Sequence, residues 1–294
     1  MKIAFLGLGN MGVPMSMCIL SAKYELTVWN RTASKMQPLI AQGAKGATTA
    51  RDAVLDADVV ISGLMDDQAI LNLAQGQDGF LQNMKSGAIH LCISTISPRC
   101  AETLERAHEA SATGYVSGPV VGRPDTAAAG KLTTYLAGKP AAVEVVLPVC
   151  RTYAAQVTVL ADRPGAANCM KLAINYNIFS TVEAIGEIYV FAEKCGLPVE
   201  HLRDFLVQQW FAHPAAKLYA EKLCARDFGG RGGFVMTGGL KDVRLAMSAG
   251  ADAGARLEIG PIVERKLAKG VEEGMGEADW SAFYEIARRE TGLS

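Results

Sequence analysis

The segment Ile3-Ala4-Phe5-Leu6-Gly7-Leu8-Gly9-Asn10-Met11-Gly12 decides the fold. Its four apolar residues make a short strand, and the glycines that follow sit where a strand gives way to a helix. Gly7 permits a tight turn, Gly9 lets the backbone approach a pyrophosphate, and Gly12 lets helix and strand pack closely. The helix N-terminus then presents free N–H groups to the anion. A glycine-rich structural turn is the bland alternative, and a bare GxGxxG would not exclude it. The strand–turn–helix setting favours a dinucleotide cradle, with Gly7, Leu8, Gly9, Asn10, Met11 and Gly12 as its candidate binding residues.

The next strand, Glu25–Trp29, bears on which dinucleotide. A site for NAD places Asp or Glu at its end to hold the ribose diol. Here the strand runs into Asn30-Arg31-Thr32. A carboxylate would repel a 2′-phosphate, whereas Arg31 pairs with one and Asn30 and Thr32 donate hydrogen bonds. The expected cofactor is NADP(H), against a solvated turn arginine as the plain reading of Arg31.

The same strand–turn–helix rhythm continues outward. Further strands are expected at Asp58–Ser62 and Ala88–Ile93, with helices at Met11–Ala22, Ser34–Gln42 and Thr49–Leu55. Pro98 suits the first turn of a helix reaching Ser111. Strands near Tyr115–Ser117, Lys131–Ala137 and Gln156–Leu160 follow, with a helix at Ala141–Arg151. Short strands alternating with helices imply a parallel sheet covered on both faces. Asp162-Arg163-Pro164-Gly165 is strong punctuation and sets the expected domain boundary, 1–162 against 163–294. Beyond it the texture turns helical. One helix fits Ala166–Cys195, closed by Gly196 and Pro198. It is apolar on more than one side, as befits a helix buried between elements or subunits. A glycine-rich loop interrupts the helices at Phe228–Gly233.

Composition excludes several classes. Half of the 294 residues are hydrophobic, a fifth are charged, and the formal net charge is −1, so neither disorder nor bulk attraction to nucleic acid or an anionic membrane is implied. Ile3–Leu6 is too short for a signal segment, and the apolar runs are too interrupted for a membrane helix, so a cytoplasmic location is expected. The seven cysteines form no CxxC pair and are odd in number, which argues against a disulfide framework or a zinc knuckle; no metal site is expected.

Lys171 and Asn175 are four residues apart and share a face of the long helix. A lysine in this apolar setting either snorkels to solvent or carries a function. An ammonium there donates a proton to a carbonyl oxygen as hydride reaches the carbon, and stabilises the developing alkoxide. Asn175 binds substrate or orients the lysine. Lys241, in Gly239-Leu240-Lys241-Asp242-Val243, reads by itself as a solvated helix residue. Glu183 and Glu187 read as partners in internal salt bridges.

Taken in order, GLGNMG at the start, Ser94-Thr95-Ile96-Ser97-Pro98, Gly165-Ala166-Ala167-Asn168-Cys169-Met170-Lys171, Phe234 and Lys241-Asp242 resemble the β-hydroxyacid dehydrogenases, the group of 3-hydroxyisobutyrate dehydrogenase and tartronate semialdehyde reductase. The resemblance spans nearly the whole chain. It implies an α/β, Rossmann-like N-terminal domain, a long interdomain helix and an all-α C-terminal domain for substrate binding and oligomerisation. It implies Lys171 as general acid/base and Asn175 as a substrate ligand. It places Leu64, Met65 and Thr95 along the cofactor and closes Lys241 over the nicotinamide end. It also implies a homo-oligomer, most simply a dimer, acting on a small-molecule substrate. The substrate loop departs from the family pattern. Pro119, Val120, Val121, Gly122 and Arg123 put valine where the family carries serine and arginine where it carries glycine. That hydroxyl is lost, while backbone N–H groups remain. The run Gly122-Arg123-Pro124 is similar instead to imine reductases, which share the fold but usually lack the lysine.

The reading that follows is an NADP(H)-dependent reductase or dehydrogenase of small β-hydroxy acids, semialdehydes or related carbonyl acids, with Lys171 as acid/base. Two rivals are an imine reductase and a non-enzymatic cofactor-binding interaction module.

Overall fold

The computed structural model describes residues 1–194, 196–210, 214–229, 234–252, 254 and 257–293. Cys195, residues 230–233 of the glycine-rich loop and the side chain of Glu187 lie outside that description. The chain forms two compact units, Met1–Lys171 and Leu172–Ser294.

The first unit is a nine-stranded sheet with helices on both faces. Strands β1 (Lys2–Leu6), β2 (Glu25–Trp29), β3 (Lys45–Gly46), β4 (Val59–Ser62), β5 (Ile89–Cys92) and β6 (Gly114–Ser117) are parallel, in the order β3-β2-β1-β4-β5-β6. The chain therefore winds one way from β1 and then the other, and the turnaround lies between β1 and β4. Ligands of such sheets bind outside the strand ends at that point. Strand β8 (Leu132–Gly138) runs antiparallel to β6 and to the two-residue β7 (Val120–Val121), and β9 (Ala154–Ala161) pairs with its other side.

Alternation along β1 shows why the sheet needs two covers. Ile3 and Phe5 enter one apolar core with Val28, Ile61 and Leu91, beneath α1 (Gly12–Ser21) and α7 (Pro140–Tyr153). Ala4 and Leu6 enter the other with Val60, Phe80 and Cys92, covered by α3 (Ala50–Val54), α4 (Asp67–Gln75) and α5 (Pro98–Ala110). Successive strand residues point to opposite faces, so burial on both makes the whole strand apolar.

Most expected elements are present, but the short strands β3 and β7 and the short helix α6 (Pro124–Ala128) were not expected, and two helices differ. The helix expected at Ser34–Gln42 is a 3-10 turn, Ala33–Met36, followed by one α turn, α2 (Gln37–Ile40). Pro38 supplies no N–H, so the hydrogen-bond ladder restarts there. Helix α4 has no counterpart in the sequence reading. Its N-cap is Asp66, whose side chain accepts from Ala69 N at 2.8 Å.

The second core holds a buried polar chain. Ser62 Oγ lies 2.7 Å from His90 Nε2, His90 Nδ1 2.8 Å from His108 Nε2, and His108 Nδ1 2.8 Å from Thr113 Oγ1. The Thr113 hydroxyl donates to the His108 carbonyl oxygen at 3.2 Å. Its oxygen must then accept from His108 Nδ1–H, His108 Nε2 must accept from His90 Nδ1–H, and Ser62 must donate to His90 Nε2. One threonine proton thus fixes both histidines as neutral Nδ1–H tautomers. Burial holds both below their ordinary range, His108 to about 3 and His90 further lowered by its neighbour.

The second unit is helical: the body of α8 (Gly165–Lys194), α9 (Val199–Phe205), α10 (Pro214–Ala225), α11 (Met236–Asp252), α12 (Gly260–Gly270) and α13 (Phe283–Glu290). Its core gathers on Trp280, whose ring lies 4.6 Å from Phe179 and 5.2 Å from Tyr219, and whose Nε1 donates to the Tyr219 hydroxyl at 2.8 Å. Leu172, Phe179, Val182, Ile185 and Tyr189 of α8 are buried. Glu183 forms the expected internal ion pair, with the buried Lys266 of α12. No described helix is long and apolar enough to cross a membrane.

The histidine chain makes stability pH-dependent. Unfolded histidine takes up a proton near pH 6.5 and the folded pair does not, so the unfolded state binds more protons and stability falls as pH drops below 6.5 toward 3. His108 alone should cost about 2 kcal/mol between pH 7.5 and pH 5. Denaturant titrations at those two pH values check this: His90→Gln/His108→Gln should flatten the difference.

Candidate active site

The glycine turn meets two neighbouring strand ends. Gly7 N donates to the Trp29 carbonyl at 3.0 Å, and Gly63 N to the Leu6 carbonyl at 2.9 Å. Gly7 has φ +98°, and a Cβ on it would collide with the Gly63 carbonyl oxygen; a Cβ on Gly12 would collide with the Gly7 carbonyl oxygen. Gly9 differs. It is exposed, and a Cβ there would meet nothing within 4 Å. The space above Gly9 is open, and α1 begins three residues later with no acidic residue in its first turn. That arrangement fits a dinucleotide pyrophosphate.

At the end of β2, Asn30 Oδ1 accepts from Leu8 N at 2.9 Å and its Nδ2 donates to the Thr32 carbonyl at 3.0 Å. Asn30 ties the glycine turn to the second strand. Arg31 and Thr32 are exposed beside it, with no carboxylate between Trp29 and Ser34. Their chemistry fits a ribose bearing a phosphate.

On the other side of the turnaround, Leu64 and Thr95 are half-buried and Met65 is 60% exposed. The loops that carry them are stapled together. Leu64 N donates to Ser94 Oγ at 2.8 Å, while Asp67 accepts from Ser97 N at 2.9 Å and from Ser97 Oγ at 2.6 Å. Ser97 also caps α5 by accepting from Cys100 N at 3.0 Å. Asp67 carries no signal in the sequence, and Ser94 stands there only within a motif, without this role; the pairs lie 30 residues apart, and only the sheet brings them together.

The segment Pro119–Arg123 is less of a free loop than its sequence implies. Val120 and Val121 pair with Thr134 and Thr133, and Thr134 Oγ1 lies 3.2 Å from both the Gly118 and Pro119 carbonyl oxygens. Pro119 and Val120 are buried, Val121 and Arg123 half-buried, and Gly122 is exposed with φ +140°. Val120 packs into the first core, which leaves backbone groups rather than its side chain for a ligand.

Lys171 is half-buried and Asn175, one turn on along α8, is 7% exposed. Asn175 Nδ2 donates to Asp242 Oδ2 of α11 at 2.7 Å. Lys241 Nζ lies 2.7 Å from the other oxygen, Asp242 Oδ1, as an ion pair rather than an aligned hydrogen bond. Asp242 is 1% exposed, so one buried carboxylate anchors both an amide and an ammonium. The sequence named the Lys241-Asp242 pair but not this bridge, which joins residues 67 positions apart.

Comparison with known proteins gives a consistent result. Residues 2–161 match the NAD binding domain of 6-phosphogluconate dehydrogenase, and residues 165–287 match the NAD-binding domain of NADP-dependent 3-hydroxyisobutyrate dehydrogenase. The chain is 36% identical over 288 residues to an uncharacterized oxidoreductase of Bacillus subtilis, covering 98% of this chain and 100% of that protein. The structure of Mycobacterium tuberculosis 3-hydroxyisobutyrate dehydrogenase with L-serine is similar at a TM-score of 0.84 and 27% identity, covering 98% of this chain and 99% of that one. An imine reductase of Myxococcus stipitatus shares the fold at a TM-score of 0.67 and 19% identity, covering 98% and 100%.

The glycines make separable predictions. Gly9→Ala should leave the melting temperature of the cofactor-free protein unchanged and weaken dinucleotide binding about tenfold or more, because its methyl occupies the approach path. Gly12→Ala should itself destabilise the protein by about 1–3 kcal/mol, since the methyl has nowhere to go. Thermal melts and a direct dinucleotide titration on the two variants separate these outcomes.

Proposed function

Because the chain belongs to the family of nicotinamide-dependent oxidoreductases that contains 3-hydroxyisobutyrate dehydrogenase and 6-phosphogluconate dehydrogenase, we propose that it interconverts a small β-hydroxy acid and its carbonyl form, with NADP(H) as the redox partner. The observation that carries this reading is the pairing of Lys171 and Asn175 one turn apart on α8, with Asn175 held by the buried Asp242.

NADPH, when bound, supplies the hydride. Lys171 Nζ gives its proton to the carbonyl oxygen as the carbon is reduced, and takes it back in the oxidative direction. Asn175, its amide oriented by Asp242, hydrogen-bonds the substrate. The Val121 N–H is committed to the β7–β8 ladder, so the backbone N–H groups of Gly122 and Arg123 are assigned to the carboxylate, in place of the missing hydroxyl. Leu64, Met65 and Thr95 are assigned to the cofactor and Lys241 to its nicotinamide end. Arg31 and Thr32 are assigned to the 2′-phosphate, with Asn30 positioning them.

Imine reduction is the second reading, motivated by Gly122-Arg123-Pro124 and the shared fold. A screen of NADPH consumption with semialdehydes, β-keto acids, phosphonates and cyclic imines discriminates the two. Turnover of cyclic imines alone would replace the proposal.

For the cofactor, NADPH should bind more tightly than NADH in the same buffer. Arg31→Ala should weaken NADPH about 10- to 150-fold and NADH little, the value of one charged hydrogen bond. Equal affinities in the unaltered protein would remove the NADP assignment.

For the chemistry, Lys171→Ala should keep the fold and NADPH affinity but lower kcat about 10²- to 10⁴-fold, the usual contribution of a general acid. Lys171→Arg should be similarly impaired, because a guanidinium does not release its proton. Single-turnover hydride transfer at saturating substrate is the measurement; near-normal rates in both variants would exclude Lys171 as the acid.

A further inference from the structure

Two side-chain staples of equal span join the end of β4 to the end of β5. Ser94 Oγ accepts from Leu64 N at 2.8 Å, and three residues on in each segment Asp67 Oδ1 accepts from Ser97 N at 2.9 Å. The second staple is double, because the Ser97 hydroxyl donates to Asp67 Oδ2 at 2.6 Å. It also closes a ring. Ser97 Oγ accepts from Cys100 N at 3.0 Å, and Cys100 Sγ lies 3.9 Å from the Asp67 carbonyl oxygen. With a lone pair turned to the Cys100 N–H, the Ser97 hydroxyl keeps its proton for Asp67, so one residue meets both carboxylate oxygens with donors. Hydrogen bonds to an ionised acceptor are the stronger kind.

The two staples bracket the residues assigned to the nicotinamide half of the cofactor. Met65 lies between Leu64 and Asp67, next to Asp66, whose side chain is committed to Ala69 N at the start of α4. Thr95 lies between Ser94 and Ser97, next to the fully buried Ile96. Met65 is 60% exposed although it is apolar. A free loop would fold such a side chain onto the protein, whereas here the backbone is held on both sides. Segments already held in place need little further ordering when a ligand binds, and the lower ordering cost appears as affinity.

We propose that Asp67 is a positioning residue for the nicotinamide half of the dinucleotide: through Ser97 it holds the Leu64–Met65 and Thr95 segments in their binding arrangement before the cofactor arrives. Both of its oxygens are taken up by Ser97, so it acts through these segments and not by touching the ligand. The inference rests on the proposed use of NADP(H). It divides that site into a ribose-phosphate end at Arg31, which is independent of Asp67, and a nicotinamide end, which depends on it.

The test variant is Asp67→Asn. Its amide oxygen still accepts from Ser97 N, but its Nδ2 cannot take the Ser97 hydroxyl proton. Calorimetric titration of the full-length protein uses two ligands: NADP+, and adenosine 2′,5′-bisphosphate, which has the phosphorylated ribose and lacks the nicotinamide half. In the variant NADP+ should bind about 5- to 30-fold more weakly, the equivalent of ordering one residue's backbone. The bisphosphate should bind within about twofold of its affinity for the unaltered protein, a selectivity that a general loss of structure would not produce. Amide hydrogen exchange on the cofactor-free unaltered protein gives a reading that needs no variant: the Leu64 and Ser97 N–H groups should already be protected. Should the variant not fold, this measurement decides, protection supporting the assignment and free exchange overturning it. Unchanged NADP+ affinity in the variant overturns it as well, and so does parallel weakening of both ligands, which would make Asp67 a residue of the fold alone. If the unaltered protein binds both ligands and any of these contrary results is found, only this inference falls; if it binds neither, the proposed function falls with it.

Discussion

The close approach of three backbone segments at the ends of β1, β2 and β4 is the constraint on which the rest of the nucleotide-binding unit depends. Gly7 is hydrogen-bonded to Trp29 while its missing Cβ makes room for the Gly63 carbonyl. Gly12 leaves room in turn for the Gly7 carbonyl. Side chains at these two positions would push the strands apart or tilt α1 off the sheet. Because these strand ends converge and β5 continues the sheet beside β4, the groups that follow are set around one edge: Arg31 after β2, Leu64 after β4 and Thr95 after β5. Asn30, Ser94, Asp67 and Ser97 then fix those loops with hydrogen bonds of 2.6–2.9 Å.

Each unit also carries buried polar groups whose value lies in direction more than in net stability. A buried ion pair or hydrogen-bonded chain recovers little beyond its desolvation cost, yet removing one member leaves the other unpaired. The Ser62–His90–His108–Thr113 chain has a single proton arrangement, dictated from the threonine end. Asp242 gives one oxygen to Asn175 and one to Lys241, so the amide proposed to meet substrate has a defined donor direction. Glu183 and Lys266 lock α8 to α12 in the same manner. The helical unit thereby holds the middle of α8 at two levels, one near Asn175 and one two turns further along.

The legibility of these features followed sequence distance. Short apolar runs are a local signal, so β1, β2, β4 and β5 were readable to within a residue or two, and Pro98 placed the first turn of α5. Helix α4 escaped because its apolar stripe is only Ile70 and Ala74 with half-buried neighbours, a weak signal over nine residues, although Asp66 is a good N-cap. The helix expected at Ser34–Gln42 failed at Pro38, where propensity summed over a window hides one residue that cannot donate. The loop at Pro119–Arg123 was read as irregular because two paired residues are too short a strand to carry a period.

Sequence alone determined the chemistry that depends on residue identity at short spacing: the glycine turn, the absence of a carboxylate after β2, and a lysine and an asparagine one helical turn apart. Each of these is set by covalent geometry or by the 3.6-residue helical repeat. Tertiary structure alone decided which distant groups complete them. Asp242 for Asn175, Ser97 for Asp67, and Thr113 as the acceptor that orders two histidines are pairings no periodicity encodes.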